Sequence, residues 1–176
     1  MDTIEYFAIG SMMNPVSLKL RGITPLKSRP GLLKGYKLIF VMANGFAAAK
    51  ECNTYDPSTD TIHGVLHRLP KLQMETLDKI ESLYAIGKDV TIQLYQENGL
   101  NDESSHKYAN DYKDEEFASN LVRGKVYILN EDIVSKNPNQ FTTNPPSERY
   151  IDILKEGAKH FGIEVGMYIS NFVIYP

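Results

Sequence analysis

A single cysteine, Cys52, stands among the 176 residues, which excludes an intramolecular disulfide framework and fits a reducing compartment. Surplus positive charge is missing too. Lys and Arg number 19 against 22 Asp and Glu, a net charge of −3, so there is no electrostatic footprint for nucleic acid or an anionic membrane. No apolar run approaches the roughly 20 residues needed to span a bilayer. Asp2 and Glu5 occupy the place of a signal peptide's basic residues, and the apolar stretch 4–9 is too short for its core. The expectation is a cytosolic protein without a nucleic-acid or membrane partner.

Several motifs are absent as well. The four histidines (His63, His67, His106, His160) and Cys52 form no zinc pattern. His63 and His67 share one face of a strand, where both are expected to be solvated or half-buried. Cys52 has no identifiable base partner and reads as an ordinary, partly exposed thiol. The segment "GSMMNP" contains neither GxGxxG nor GxxxxGK[ST], so nucleotide fingerprints are lacking, and Ser11 is not in a GxSxG elbow.

With 42% hydrophobic and 23% charged residues, the composition is that of a soluble globular protein. The length predicts one domain over 1–176, enough to bury a core around a closed cavity. Strands are expected over 4–9, 35–45, 45–51 (returning antiparallel to its predecessor), 61–69, 90–95 and 121–129. The segment 15–22 reads as a short turn or helix, and 55–60 has turn chemistry. Helices are expected over 71–84, opened by Pro70, and over 148–161, with Ser147 as N-cap and Gly162 as terminator. Residues 96–118 are polar and acidic and read as a surface excursion, whereas 167–176 have extended character. Strands without regular βαβ alternation indicate an α+β domain with a largely antiparallel or mixed, barrel-like sheet.

One acidic residue is misplaced by this pattern. At about 100° per residue, Met74, Leu77, Ile80 and Tyr84 share one helix face, and Glu81 falls among them. Asp78 lies at the flank. Burial raises a carboxyl pKa toward the range of a general acid/base. The residues alone leave two readings of Glu81: catalysis, or an ion pair with Arg68 or Lys88. Tyr150, at the start of the second helix, reads as a core aromatic with its hydroxyl at the rim.

In order, "FAIGSMMN" (7–14), "HGVLHRL" (63–69), "LDKIE" (77–81), "GKVYIL" (124–129) and "PSERYIDILKEGA" (146–158) resemble the gamma-glutamylcyclotransferase-like family over nearly the whole chain. The resemblance implies a small mixed β-barrel with flanking helices around a cavity. It implies cleavage of a γ-glutamyl derivative, in which the substrate's α-amine attacks its own γ-carbonyl and releases 5-oxoproline. No cofactor or metal is needed, because the nucleophile belongs to the small-molecule substrate. Glu81 would move the proton. Ile9, Gly10, Ser11, Met12 and Met13 would hold the γ-glutamyl group through backbone N–H groups, and Tyr127 and Tyr150 would line the pocket or position Glu81. A catalytic Glu81 would open into a cavity bounded by residues 9–13.

The sequence departs from the family at Ile9, where the loop pattern has Tyr, at Met12, where it has Asn, and at Ser82 and Lys88. The apolar Ile9 and Met12 suggest a less polar substrate, or a pocket no longer devoted to glutathione. Two alternatives to cyclotransfer therefore stand: a same-fold enzyme doing other glutamate-based acid/base chemistry, such as isomerisation, or a non-catalytic binding protein.

Overall fold

The structure, a computed structural model, describes residues 2–81, 85–95, 120–142 and 144–166. Strand β1 (Thr3–Ala8) leads into a 3-10 turn (Ser11–Met13) and helix α1 (Pro15–Leu20). Strands β2 (Lys27–Lys34), β3 (Tyr36–Val41), β4 (Phe46–Glu51) and β5 (Thr61–Pro70) follow, then α2 (Lys71–Glu81) and strands β6 (Ala85–Leu94) and β7 (Leu121–Leu129). Helices α3 (Glu131–Lys136) and α4 (Glu148–His160) complete the described elements, with a second 3-10 turn at Pro138–Gln140 between them.

The strands run β1-β5-β2-β6-β7, and β7 meets β1 again in parallel at Tyr6 and Lys125, so five strands close into a mixed barrel. The antiparallel β3–β4 hairpin hangs on β7 through the parallel pair Ala49–Ile128. Closure satisfies strand edges that would otherwise be open. Phe7, Leu33, Ile62, Leu66, Ile92 and Val126, drawn from five strands, are buried and form the centre of the core. Among the described residues no helix is long and apolar enough to cross a membrane.

Two elements were not expected. β2 contains Pro30 and Gly31, which punctuate most strands, yet it pairs with β5 from Lys27 to Lys34. Pro30 fits because it is asked only to accept, its carbonyl taking the Tyr95 N–H at 3.2 Å. Helix α3 is short and lacks buried residues; its signal is Asn130, whose side chain accepts from the Asp132 and Ile133 amides. Pro70 ends β5, opposite Thr3, before α2 begins.

Helix α2 lies over β1, β5 and β6 and buries Met74 and Leu77. Ile80, expected on the apolar face, is exposed, and the inward face is turned toward Asp78 and Glu81, both half-buried. The wheel weighs only apolarity, whereas the barrel surface beneath this helix offers a polar receptor, the Tyr127 hydroxyl. Helix α4 is capped as expected, the Ser147 hydroxyl accepting the Tyr150 N–H at 3.3 Å. The expectations for 82–84, 96–118 and 167–176 lie outside the described residues.

Candidate active site

The end of β1 turns sharply after Gly10. In the 3-10 turn the Met13 N–H donates to the Gly10 carbonyl at 2.9 Å and the Asn14 N–H to the Ser11 carbonyl at 3.0 Å. The Met13 amide, expected to face a ligand, is thus consumed inside the turn. The Ser11 and Met12 amides precede its first internal bond. The Ile9, Met12 and Met13 side chains are buried in the core, so these positions shape the loop by packing and present no polar side chain to a ligand.

Helix α4 clamps this turn from outside. Asn14 is buried; its Oδ1 caps α1 by accepting the Val16 N–H at 2.9 Å, while Nδ2 donates to the Ile153 carbonyl at 3.1 Å and reaches Glu156 Oε2 at 3.4 Å. One turn further along, the helix touches the loop backbone directly. A Cβ on Gly157 would stand 2.9 Å from the Asn14 nitrogen and 3.0 Å from the Met13 carbonyl carbon. Gly157→Val is therefore expected to cost about 2–3 kcal/mol by overpacking, read as a lowered denaturation midpoint, because the obstructing atoms are backbone.

From the barrel side the turn is held by His67. Both histidines of β5 had been expected solvated or half-buried; His63 is half-buried, but His67 is wholly enclosed. Its Nε2 lies 3.1 Å from the Met12 carbonyl, which can only accept, so Nε2 carries the proton. Nδ1 then accepts the Ser28 hydroxyl at 2.7 Å. Tyr6 stacks on the ring at 6.2 Å between centroids and Phe161 meets it edge-on at 6.0 Å. Burial pushes the imidazole down to about 4, the Met12 carbonyl opposing only in part. The strand pattern could not show this burial, since it depends on the turn, β2 and the residue after α4 arriving on one side of β5.

Tyr150 joins the turn to α2. Its hydroxyl oxygen accepts the Ala47 N–H at 3.3 Å and also the Ser11 N–H. Burial raises the phenol pKa, the two amides oppose it, and the negative charge of Glu81 raises it further. Gly10, Ser11 and Tyr150 are thus brought together: a Cβ on Gly10 would stand 3.1 Å from the Tyr150 oxygen, and Glu81 is near enough for its charge to act on that phenol. With both amides donating to that oxygen, the phenol keeps its proton to donate elsewhere.

Tyr127 faces a different partner, donating to Asp78 Oδ1 at 2.6 Å and packing against Tyr6 at 5.7 Å between ring centroids. Asp78 lies one helical turn before Glu81, so two half-buried carboxylates share the inward face of α2, where sequence reading had put Asp78 at the flank. Arg68 pairs with Glu5 at 2.5 Å and Lys88 with Glu51 at 2.5 Å. Cys52 is half-buried, and burial beside Asp60 pushes its thiol pKa up, away from nucleophilic use.

Two of the clefts among the described residues bear on the site. One, of about 420 Å³, lies where β2 and β6 diverge, between Leu32, Tyr36, Asp89 and Thr91, and contains none of the expected site residues. The other, of about 370 Å³, has Tyr150 in its wall beside Phe46 and Arg149. Neither is lined by Glu81 or residues 9–13, the arrangement anticipated for a catalytic Glu81; the buried side chains of Ile9, Met12 and Met13 occupy the space around the turn.

A scan against protein-family models finds no match, and neither does a search of curated proteins. Solved structures do match. A gamma-glutamyl cyclotransferase superposes with a TM-score of 0.67 at 17% identity, over 99% of this chain and 89% of that one. An uncharacterized protein from Homo sapiens gives 0.65 at 18% identity, over 100% and 90% of the two chains. A yeast gamma-glutamyl cyclotransferase specific to glutathione gives 0.58 at 10% identity, over 99% of each. At such identities the likeness is one of fold, and it extends over the whole chain. The barrel closure, the hairpin on β7 and the helix placement agree with it. These matches identify the chain as a divergent protein of the gamma-glutamylcyclotransferase-like fold.

Proposed function

We infer that the protein is a cyclotransferase that releases 5-oxoproline from a γ-glutamyl amine or peptide, with Glu81 as general acid/base. The supporting observation is the convergence at Tyr150, whose oxygen receives the Ser11 amide and whose phenol feels the charge of Glu81. A carboxylate able to transfer a proton and the Gly10–Ser11 turn thereby both lie near Tyr150.

In this reading the substrate's α-ammonium gives a proton to Glu81. The freed amine attacks the γ-carbonyl, forming the C–N bond of the five-membered ring. The Met12 amide, which precedes the first internal bond of the turn, stabilises the developing oxyanion. Collapse breaks the original γ-amide bond as Glu81 returns the proton to the leaving nitrogen, so no external nucleophile enters. Holding the chain folded on itself supplies much of the rate, since an intramolecular attack needs only the right geometry.

The test is incubation with a panel of γ-glutamyl amines and dipeptides, followed by measurement of 5-oxoproline. Release from at least one member supports the reading, and silence across the panel removes it.

A further inference from the structure

The cleft beside Tyr150 is an open groove with an apolar floor and one cation at its edge. It opens between the β3–β4 turn, the segment before α4 and the first turn of that helix. Phe46, Pro145, Tyr150 and Ile153 give it an apolar interior. Arg149 stands exposed at its rim, and among the described residues no carboxylate pairs with it. Its volume lies at the lower end of the about 300–1,000 Å³ of small-molecule sites.

The walls are pinned in place. Asn144 donates its backbone N–H to the Phe40 carbonyl at 3.2 Å and its Nδ2 to the Met42 carbonyl at 3.0 Å, tying the segment before α4 to the hairpin. The hairpin tip runs so close to this segment that a Cβ on Gly45 would stand 2.6 Å from Pro146 Cα. Phe46 meets Tyr150 edge-to-face with centroids 5.8 Å apart. Such a pocket needs little ordering when a ligand enters.

Tyr150 is the partition between this cleft and the turn: its ring lines the cleft while its oxygen receives the Ser11 and Ala47 amides. On the cyclotransferase reading, a γ-glutamyl group at Gly10–Ser11 would lie next to Tyr150, and the cleft is the space on the other face of that residue.

We propose that the cleft receives the leaving group and selects an aromatic or large apolar α-amino acid, with the side chain against Phe46, Pro145 and Ile153 and the carboxylate on Arg149. An apolar interior with one unpaired guanidinium at the rim complements a molecule that is apolar at one end and a carboxylate at the other. The substrate class is then a γ-glutamyl dipeptide such as γ-glutamylphenylalanine. The α-nitrogen bonds to the γ-carbon, the bond to the phenylalanine nitrogen breaks, and the two protons the α-ammonium loses end on the released amine, which leaves as an ammonium. The identity of the broken bond rests on the cyclotransferase reading; the ligand chemistry of the cleft does not.

The experiment has a kinetic and a binding arm. In the first, kcat/KM for γ-glutamylphenylalanine exceeds that for γ-glutamylglycine by about tenfold or more, the scale set by filling an apolar pocket. Arg149→Gln, an exposed change that spares the fold, lowers kcat/KM for γ-glutamylphenylalanine about tenfold more than for γ-glutamyl-2-phenylethylamide, which has the ring without the carboxylate. The second arm follows free L-phenylalanine by NMR titration, expecting binding that weakens in Arg149→Gln.

The two possible failures separate. Phenylalanine binding that depends on Arg149, with no 5-oxoproline from any substrate, keeps the cleft assignment and removes the cyclotransferase reading. Release of 5-oxoproline with no preference for phenylalanine over glycine, and an equal effect of Arg149→Gln on both phenyl substrates, overturns the cleft assignment and keeps the activity. Absence of both binding and turnover overturns both.

Discussion

Glu81→Gln is expected to lower 5-oxoproline release by about 10²–10⁴-fold, the usual contribution of a positioned general acid/base. Glutamine keeps the size and hydrogen-bonding capacity of glutamate but cannot carry the proton from the attacking ammonium to the leaving amine. Stability should change little, because the residue is only half-buried at the end of α2. A second readout checks the geometry without turnover. The Glu81 charge is one of the influences raising the Tyr150 phenol, so the glutamine variant should titrate one tyrosine at lower pH than the parent in a difference spectrum. An unchanged rate would remove Glu81 from the mechanism. An unchanged tyrosine titration would separate it from Tyr150.

His67→Leu should have the largest effect on stability. The substitution keeps an apolar residue in the buried site but strips the Met12 carbonyl and the Ser28 hydroxyl of their partner. Leaving buried polar groups unpaired costs about 2–4 kcal/mol for the two together, measured by denaturant unfolding at pH 7. His67→Gln retains an N–H donor for the Met12 carbonyl and should recover part of the loss. If the leucine variant were as stable as the parent, the clamp on the turn would not exist.

The same residue sets an acid sensitivity whose sign follows from burial. The folded imidazole titrates at about 4, below its ordinary 6.5. As pH falls from 6.5 the unfolded chain protonates first, so stability is full above 6.5, declines toward 4 and levels off below. The depression corresponds to about 3 kcal/mol, most of it lost by pH 4.5. His63 is lowered by burial in the same direction. Asp56 and Asp60 are lowered by hydrogen bonds, and carboxylates shifted this way lose their contribution at more acidic pH. The difference between parent and His67→Leu, followed from pH 7 to 4.5, isolates the His67 share. The parent should lose about 2–3 kcal/mol more than the variant, and equal slopes would contradict the assignment.

Much of the architecture could be read from local chemistry. The strand expected over 4–9 is β1, and that over 61–69 is β5 within a residue. Gly10 and Gly162 mark ends where expected, and Ser147 caps α4. Period, turn residues and caps are local signals, and the chain obeys them wherever an element has one clearly buried face. β2 escaped because Pro30 and Gly31 are local breakers, tolerated here by strand pairing on both sides. Glu81 was legible for a different reason: a lone carboxylate among Met74 and Leu77 is visible on the wheel. Its i−3 neighbour Asp78 was not, because only the barrel brings the Tyr127 hydroxyl beneath it.

The chain's amino-acid order was sufficient for the fold class, the helix that carries Glu81 and the backbone turn at Gly10–Ser11, since each rests on residues close in sequence. Which side chains meet was settled only by folding. His67 is enclosed because Met12 and Ser28 arrive from elements far away along the chain, and Tyr150 touches both Ser11 and Ala47 because α4 packs on the turn after β1. Burial and desolvation are properties of such assembled neighbourhoods. No periodicity along a single strand or helix encodes them, so the methionines of the turn declared their role as packing only once the barrel and α4 had closed around them.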